Sequence, residues 1–235
     1  MKAMILAAGR GERMRPLTDH TPKPLLQVGG KALIVWHIAR LRDAGFHDIV
    51  INHAHLGDQI EAALGNGAAL GVQLAFSPER EGALETAGGI RHALPLLGEQ
   101  PFLVVNGDIW CDWDFRRAQN ISLATNLLAH LVLVKNPLHN LKGDFTLDHG
   151  RILSQPTVAA PQLTFSGVGV YHPALFADLP DPAPAKLAPL LRVAADAGRV
   201  SGELHAGEWI DVGTPERLHE LDARLRQSAI SHCSH

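Results

Sequence analysis

Residues 6–24 read LAAGRGERMRPLTDHTPKP and form a glycine-containing loop after the apolar run at residues 2–8. Gly9 and Gly11 have no side chains, so their backbone N–H groups can approach phosphate oxygens without obstruction. The loop lacks the Lys-Ser/Thr pair of a Walker A motif, and Met14 stands where a dinucleotide-binding fingerprint requires its third glycine. The sequence therefore predicts an anion-binding loop that follows a strand and fits neither of these two common templates.

Two cations of this stretch suit different parts of a polyphosphate. The guanidinium of Arg13 can bind a pyrophosphate through two parallel hydrogen bonds, whereas Lys23 supplies a point charge for a single phosphate. Pro22 and Pro24 restrict the backbone on both sides of Lys23. Residues 1–31 carry a balance of +4, although the whole chain has a formal charge of −3. This distribution indicates a local anion site and no broad basic surface for nucleic acid.

Strand-like and helix-like segments alternate through the first half of the chain. The predicted strands are 2–8, 48–53, 72–76, 101–108 and 128–134. The predicted helices are 32–44, 56–64, 84–97 and 186–198. A last helix is predicted to begin at Pro215, with Thr214 as its N-cap, and to end at about 227. We therefore predict an α/β fold, a Rossmann-like and mostly parallel sheet sandwiched by helices in a single domain. After about residue 140 short strands separated by turns replace the alternation.

The composition argues against several classes of protein. No stretch reaches about 18 consecutive apolar residues, and arginines follow the short apolar N-terminal run, so we expect neither a membrane span nor a signal peptide. Cys111 and Cys233 are too few for a disulfide framework or a cysteine-type zinc site. His53 and His55 have no third ligand at a suitable spacing, so we expect no histidine metal site. These features predict a cytoplasmic protein.

The stretch at 6–24 resembles the signature of the sugar-phosphate nucleotidyltransferases, G-x-G-x-R followed by P-K-P. The resemblance continues in chain order through ETAGGI (85–90), NGD (106–108), GDF (143–145), FSGVGVY (165–171) and WIDVGTP (209–215). It implies the nucleotide-diphospho-sugar transferase fold. It also implies a reaction that joins a nucleoside triphosphate to a sugar 1-phosphate and releases pyrophosphate.

The resemblance also implies how the chain is divided and what it binds. One domain covers 1–228, with a nucleotide-binding part at about 1–110, a sugar-binding part at about 111–228 and a tail at 229–235. The combination of PKPL, INHAHLG, LETAGG, LVVNGD and WIDVGT is most similar to members that join UTP to N-acetylmuramic acid α-1-phosphate in peptidoglycan recycling. The absence of an appended assembly domain is compatible with a monomer.

Site residues are carried over by their positions in these motifs. Arg13 is expected to hold the β- and γ-phosphates, and Lys23 the α-phosphate and the incoming phosphate. The expected nucleotide contacts are Ala8, Gly9, Gly11, Glu12, Arg13, Lys23, Ser77, Gly82, Thr86 and Gly88. The expected sugar contacts are Asn106, Gly143, Asp144, Ser166 and Lys186. For Gly88 a role in close packing is the competing interpretation, and for Lys186 it is an ordinary solvated charge.

A magnesium site is expected at two strand ends. Asp108 and Asp211 each end an apolar segment, and open α/β sheets bind ligands at the carboxyl ends of their strands. Mg²⁺ takes one or two carboxylates together with phosphate oxygens and water. The resemblance implies the same two aspartates, so Mg²⁺ is the expected cofactor.

Three other functions remain open at this stage. A relative that acts on glucose 1-phosphate or mannose 1-phosphate with dTTP or GTP would share all the motifs above. A non-catalytic regulatory protein that binds nucleotide sugars is opposed by the presence of Arg13, Lys23, Asp108 and Asp211. A redox Rossmann domain is opposed by Met14 in the fingerprint.

Overall fold

A central sheet of nine strands forms within residues 1–80, 82–123, 126–157 and 160–232, the part of the chain that the computed structural model describes. The strands of the whole described chain are β1 (Ala3–Leu6), β2 (Gln27–Val28), β3 (Lys31–Ala32), β4 (Asp48–His53), β5 (Gln73–Pro78), β6 (Phe102–Asn106), β7 (Ile109–Cys111), β8 (Ala129–Val134), β9 (Phe145–Asp148), β10 (Arg151–Leu153), β11 (Gln162–Tyr171), β12 (Val200–His205) and β13 (Trp209–Asp211). The α-helices are α1 (Leu33–Asp43), α2 (Gly57–Leu64), α3 (Glu85–Leu97), α4 (Leu187–Asp196) and α5 (Pro215–His232).

The order of the central sheet is β5-β4-β1-β6-β11-β8-β12-β10-β9. Neighbours from β5 to β6 are parallel, as are β8 and β12. The other neighbours are antiparallel, and β11 also pairs with β9. The predicted α/β class is confirmed, and the sheet is mixed: the expectation of a mostly parallel sheet holds from β5 to β6 only.

Successive side chains along a strand point to opposite faces of the sheet, and helices pack against both faces. Ile5 of β1 belongs to a buried cluster with Ile38 of α1 and Ile60 of α2. Met4, the neighbouring residue, belongs to a second cluster with Ile90 of α3 and with α4. This is the alternation expected of a strand that is covered on both sides.

A third, smaller cluster joins the N-terminal loop to the end of the chain. It contains Met14, Val28 and Leu33 together with Val212 and residues of α5. The β2–β3 hairpin is also tied to α5, because the backbone N–H of Gly29 donates to Asp222 at 2.8 Å. The two chain ends therefore support the loop that the sequence singles out.

The sequence did not predict one strand, and it placed the end of one helix too early. Strand β12 was not predicted, although it lies between β8 and β10, because VSGELH has no run of apolar residues. Helix α5 continues to His232, five residues beyond the predicted end, so residues 229–232 of the predicted tail are helical. Residues 233–235 lie outside the described part of the chain.

The described residues also bear on the exclusions made from composition. None of their helices is both long and apolar enough to cross a membrane. Cys111 is a buried free thiol in β7, and burial raises its pKa to about 11. His53 is buried with Nε2 2.7 Å from Glu61 Oε1.

Candidate active site

A cavity of about 410 Å³ opens where β1, β4 and β6 end. The three strands are parallel neighbours, so their carboxyl ends meet at one edge of the sheet. Seven predicted site residues line this cavity: Ala8, Gly9, Gly11, Lys23, Thr86, Asn106 and Asp108. The structure therefore brings Ala8, Gly9, Gly11 and Lys23 of the predicted anion-binding loop to a single concave surface, together with Asn106 and Asp108.

Lys23 is a buried cation at this cavity. Its side chain is 8% exposed, and its Nζ lies 2.9 Å from Oδ2 of Asp108, whose side chain is 44% exposed. A lysine is seldom buried unless its charge is paired, and Asp108 is the partner here. Because Asp108 remains accessible to solvent, the pair presents both a donor and an acceptor to the cavity.

The conformation of Gly11 explains why the loop needs glycine at this position. Gly11 has a φ of 69°, in the left-handed region, and a Cβ there would lie 3.2 Å from Cβ of Lys23. Its carbonyl accepts hydrogen bonds from the hydroxyl of Thr18 at 2.8 Å and from the N–H of Met14 at 2.9 Å. The loop is therefore folded tightly against Lys23.

Arg13 and Glu12 lie outside the cavity lining. Arg13 is exposed, and its Nη2 lies next to Gly213, because a Cβ on Gly213 would be 2.9 Å from Nη2 and 2.8 Å from Oδ1 of Asp211. Glu12 is also exposed, with Oε1 3.5 Å from Nε of Arg10. Arg13 therefore belongs to the neighbourhood of Asp211, beside the Lys23 cavity.

The two predicted metal ligands lie at one end of a short ribbon formed by β7 and β13, with Asp108 just before β7 and Asp211 the last residue of β13. Asp211 pairs in register with Ile109, and the N–H of Val212 donates to the carbonyl of Asp108 at 2.9 Å. Oδ2 of Asp211 accepts a hydrogen bond from Nη1 of Arg217 at 2.6 Å and lies 3.3 Å from Nε2 of His139. The ribbon thus brings together two carboxylates that are separated by about a hundred residues in the chain.

The two carboxylates of this ribbon suit Mg²⁺ better than they suit a metal ion whose ligands all come from the protein. Within the described residues, no group of three or more His, Cys, Asp or Glu could hold a metal ion. Two aspartates would therefore need phosphate oxygens and water to complete the coordination, and this is the ligand set that Mg²⁺ prefers.

A buried polar network, which the sequence did not predict, joins three strand ends. Glu79 is 4% exposed; its Oε1 accepts from Nδ2 of Asn52 at 2.7 Å and its Oε2 from the N–H of Leu84 at 2.6 Å. Oδ1 of Asn52 accepts from the N–H of Ala7 at 2.9 Å. Asn52 and Glu79 both line the cavity. Their only signal in the sequence is a polar residue at the end of an apolar strand, as for Asn106.

Glycine in α3 makes room for this network. A Cβ on Gly89 would lie 2.5 Å from Oε1 of Glu79. Glu85, the first residue of α3, lines the cavity with a φ of 60°, a conformation that few non-glycine residues adopt. Glu85 was not singled out by the sequence, because a backbone conformation of this kind is visible only in the structure.

Besides Glu12 and Arg13, three more of the expected nucleotide contacts do not line the cavity. Ser77 is buried in β5, and the N–H of Gly82 donates to the carbonyl of Glu79 at 3.3 Å. Gly88 packs on the segment before α4, where a Cβ would lie 2.3 Å from the carbonyl oxygen of Ala183. Close packing therefore explains why position 88 is glycine, and contact with a nucleobase stays a prediction.

The expected sugar contacts other than Asn106 are engaged in local structure or lie on the surface. Oδ2 of Asp144 accepts from the N–H of Phe165 at 2.8 Å. Gly143 has a φ of 69°, and a Cβ there would lie 2.9 Å from Oδ1 of Asn136. Lys186 is exposed at the residue before α4. Their contacts with a sugar stay predictions.

Ser166 is fully buried at a bulge in β11. Its hydroxyl donates to the carbonyl of Val132 at 2.7 Å and accepts from the N–H of Val168 at 3.1 Å, where the pairing register shifts. The next residue, Gly167, is also required by packing, since a Cβ there would lie 2.7 Å from Nδ2 of Asn106. The bulge therefore supports the Asn106 side chain at the edge of the cavity.

Comparison with known proteins agrees with this geometry. A protein family described as Nucleotidyl transferase matches residues 2–228. The chain belongs to this family. It is 59% identical to the N-acetylmuramate alpha-1-phosphate uridylyltransferase of Neisseria meningitidis, over 95% of this chain and 97% of that protein. It is 36% identical to the protein of the same name from Caulobacter vibrioides, over 96% of this chain and 97% of that protein.

A solved structure shows the same fold at low sequence identity. HddC from Yersinia pseudotuberculosis, complexed with GMP-PN, matches with a TM-score of 0.77 and 21% identity, over 95% of this chain and 98% of that chain. This agreement confirms the nucleotidyltransferase fold implied by the motifs at the N-terminal loop and strand ends.

Proposed function

We propose that the protein is a uridylyltransferase that joins UTP to N-acetylmuramic acid α-1-phosphate, forming the UDP-sugar and pyrophosphate. The observation that carries this proposal is the buried Lys23–Asp108 pair at a cavity lined by Gly9 and Gly11. The identity of 59% to a relative with that activity in its name supports the choice of UTP and of this sugar.

In this reaction a phosphate oxygen of the sugar 1-phosphate attacks the α-phosphorus of UTP. The new P–O bond forms as the bond to the bridging oxygen breaks, and that oxygen leaves with pyrophosphate. A phosphate monoester has a second pKa of about 6, so the attacking group is already anionic near neutral pH and needs no general base. The protein has to supply position and positive charge.

The residues at the cavity can supply both. Lys23 would bind the α-phosphate and the incoming phosphate, because its ammonium is the buried cation at the cavity. Backbone N–H groups at Gly9 and Gly11 would bind phosphate oxygens of the leaving group. Arg13 would hold the β- and γ-phosphates from the side of Asp211.

Asp108 and Asp211 would hold Mg²⁺, which when bound neutralises repulsion between the two anionic substrates. Lys23 then takes a phosphate oxygen in place of the Asp108 carboxylate that binds it now. Arg217 and His139 orient Asp211 through Oδ2. The residues thus hold two anions close together without a Ser-His or Cys-His nucleophile.

We also propose which residues contact the nucleoside and the sugar, and in which compartment the protein acts. Residues at about 1–110 would bind UTP, and within them Ser77, Gly82, Thr86 and Gly88 would contact the nucleobase. Residues at about 111–228 would bind the sugar. The buried free thiol of Cys111 fits a reducing cytoplasm. Peptidoglycan recycling is the process in which such a reaction would operate.

A substrate panel scored by release of pyrophosphate tests the proposal. UTP, dTTP and GTP are each combined with the 1-phosphates of N-acetylmuramic acid, glucose and mannose, with Mg²⁺ present. We expect the highest kcat/KM for UTP with the muramic acid derivative. Faster turnover of another pair would assign the protein to that activity, and no turnover of any pair would favour the non-catalytic regulatory protein. A folded Lys23→Met variant is the control for contaminating activity.

A further inference from the structure

The ribbon of β7 and β13 is small, and Asp108 and Asp211 both lie at one end of it. It has two strands of three residues each and forms a sheet separate from the nine-stranded one. A two-stranded ribbon of this size is marginal by itself and takes its geometry from what packs behind it. The spacing of the two carboxylates therefore depends on the elements that contact the ribbon.

Helix α1 holds the ribbon through Arg40. Nη1 of Arg40 donates to the carbonyl of Cys111, and Nη2 donates to the carbonyl of Trp113 at 2.9 Å. The guanidinium also lies over two aromatic rings, 4.8 Å from the centre of Phe115 and 5.7 Å from that of Trp110. One planar group thus fixes two carbonyls at and just beyond the end of β7.

Arg40 is half-buried, and its hydrogen bonds go to carbonyl groups although the charges of Asp112 and Asp114 lie nearby. Within the described residues it forms no salt bridge, and burial lowers its pKa. An apolar side chain would fill the space at a lower desolvation cost. What the guanidinium adds is geometry, because its rigid fork holds two acceptors at a fixed separation.

His37, on the same face of α1 as Arg40, forms no hydrogen bond to the ribbon within the described residues. His37, one turn before Arg40, is 1% exposed, and neither of its ring nitrogens has a hydrogen-bond partner within the described residues. The ring still lies near the carbonyl of Ile109, without the geometry of a hydrogen bond, and near the charge of Asp108. His37 therefore lies behind the start of the ribbon, whereas Arg40 bonds its end.

We propose that Arg40 is a positioning residue that sets the spacing of the Asp108 and Asp211 carboxylates by holding the β7–β13 ribbon. The inference rests on the proposed function, in which these carboxylates bind the metal. It concerns a residue that touches neither substrate nor metal and acts through the carbonyls of Cys111 and Trp113.

Three variants test this role. Arg40→Met removes both hydrogen bonds, and Arg40→Lys keeps the charge but cannot hold two carbonyls in the same fork. Arg42→Met is the matched control: Arg42 lies on the same helix, and its hydrogen bonds go to Asp43 and Leu70, away from the ribbon. Each purified variant is examined by amide hydrogen exchange and by Mn²⁺ binding to the UTP-loaded protein, followed by electron paramagnetic resonance.

We expect Arg40→Met to lose amide protection in peptides covering 109–113 and 209–212 and to bind Mn²⁺ at least about tenfold more weakly. Arg40→Lys should lie between this variant and the unmodified protein, and Arg42→Met should match the unmodified protein. Unchanged exchange and unchanged Mn²⁺ affinity in folded Arg40→Met would overturn the proposal. An equal loss in Arg42→Met would also overturn it.

Two further outcomes keep the test decisive. If Arg40→Met does not fold, Arg40→Lys decides: weaker Mn²⁺ binding at an unchanged melting temperature supports the role, and unchanged binding overturns it. If the unmodified protein turns over none of the substrate pairs, the proposed function fails, but the exchange of the ribbon amides still decides whether Arg40 holds the ribbon.

Discussion

The half of the molecule with parallel strands and the half around β11 use their polar residues differently. From β5 to β6 the strands are parallel, and polar residues at their carboxyl ends, such as Asn52 and Asn106, line one cavity. Around β11 the strands are antiparallel, and Asp144 and Ser166 bond to backbone groups. Neighbouring antiparallel strands end at opposite edges of a sheet. A polar residue after a strand is therefore a good predictor of a site only in the parallel half.

The largest effect is expected at Lys23. Lys23→Met should lower kcat by about 10²–10³-fold, because one preorganised charge next to the transferring phosphate is lost. Steady-state release of pyrophosphate measures it, with circular dichroism to check folding. Lys31→Met is the control, since Lys31 is an exposed lysine that lies over the ring of Trp36. Near-normal turnover in a folded Lys23→Met protein would remove Lys23 from the mechanism.

A second test contrasts one aspartate from each half. Asp108→Asn should lower Mg²⁺-dependent turnover by on the order of 10²-fold, because the proposed metal ligand, which is also the partner of Lys23, loses its charge. Asp144→Ala should leave the Mg²⁺ titration unchanged and lower the free energy of unfolding, because Asp144 bonds to the N–H of Phe165. Equal shifts of the Mg²⁺ titration in the two variants would break the comparison between the halves.

His37 predicts a pH dependence that arises in helix α1. Burial lowers the pKa of His37 from 6.5 to about 4, so the unfolded chain binds more protons than the folded protein in this range. Stability from this residue is present above pH 6.5 and is lost as the pH falls toward 4. Between pH 7.5 and pH 5 the loss is about 2 kcal/mol.

The variant His37→Leu isolates this contribution. Leucine fills a similar space and cannot be protonated, so the free energy of unfolding should fall less between pH 7.5 and pH 5 than in the unmodified protein. Urea denaturation at the two pH values measures the difference. Parallel stability profiles for the two proteins would show that His37 is not the residue responsible.

The smallest effect is expected in the half around β11, at Ser166. Ser166→Ala should lower the free energy of unfolding by about 1–2 kcal/mol, because the carbonyl of Val132 and the N–H of Val168 lose a buried partner. KM for UTP and KM for the sugar 1-phosphate should stay unchanged. A selective rise in KM for the sugar 1-phosphate at unchanged stability would instead make Ser166 a sugar contact.

Several elements could be predicted because their signals are local. Strand β4 is the predicted 48–53, and α5 begins at Pro215 after Thr214, as its capping pattern indicated. Strand β12 could not be predicted, because the burial of its backbone comes from β8 and β10 on either side. The network of Asn52 and Glu79 was missed for a similar reason, since its members come from different strands.

The amino-acid sequence alone predicted the anion-binding loop with its glycines and cations, and it determined the family to which these motifs point. Short-range chemistry is sufficient for this, because glycine freedom, proline restriction and charge are properties of the residues themselves. Only the tertiary structure decided that Lys23 is bonded to Asp108, that Asp211 lies beside Arg13, and that Arg40 supports the ribbon between them. Such contacts join distant parts of the chain, and they exist only after the sheet has brought its strand ends together.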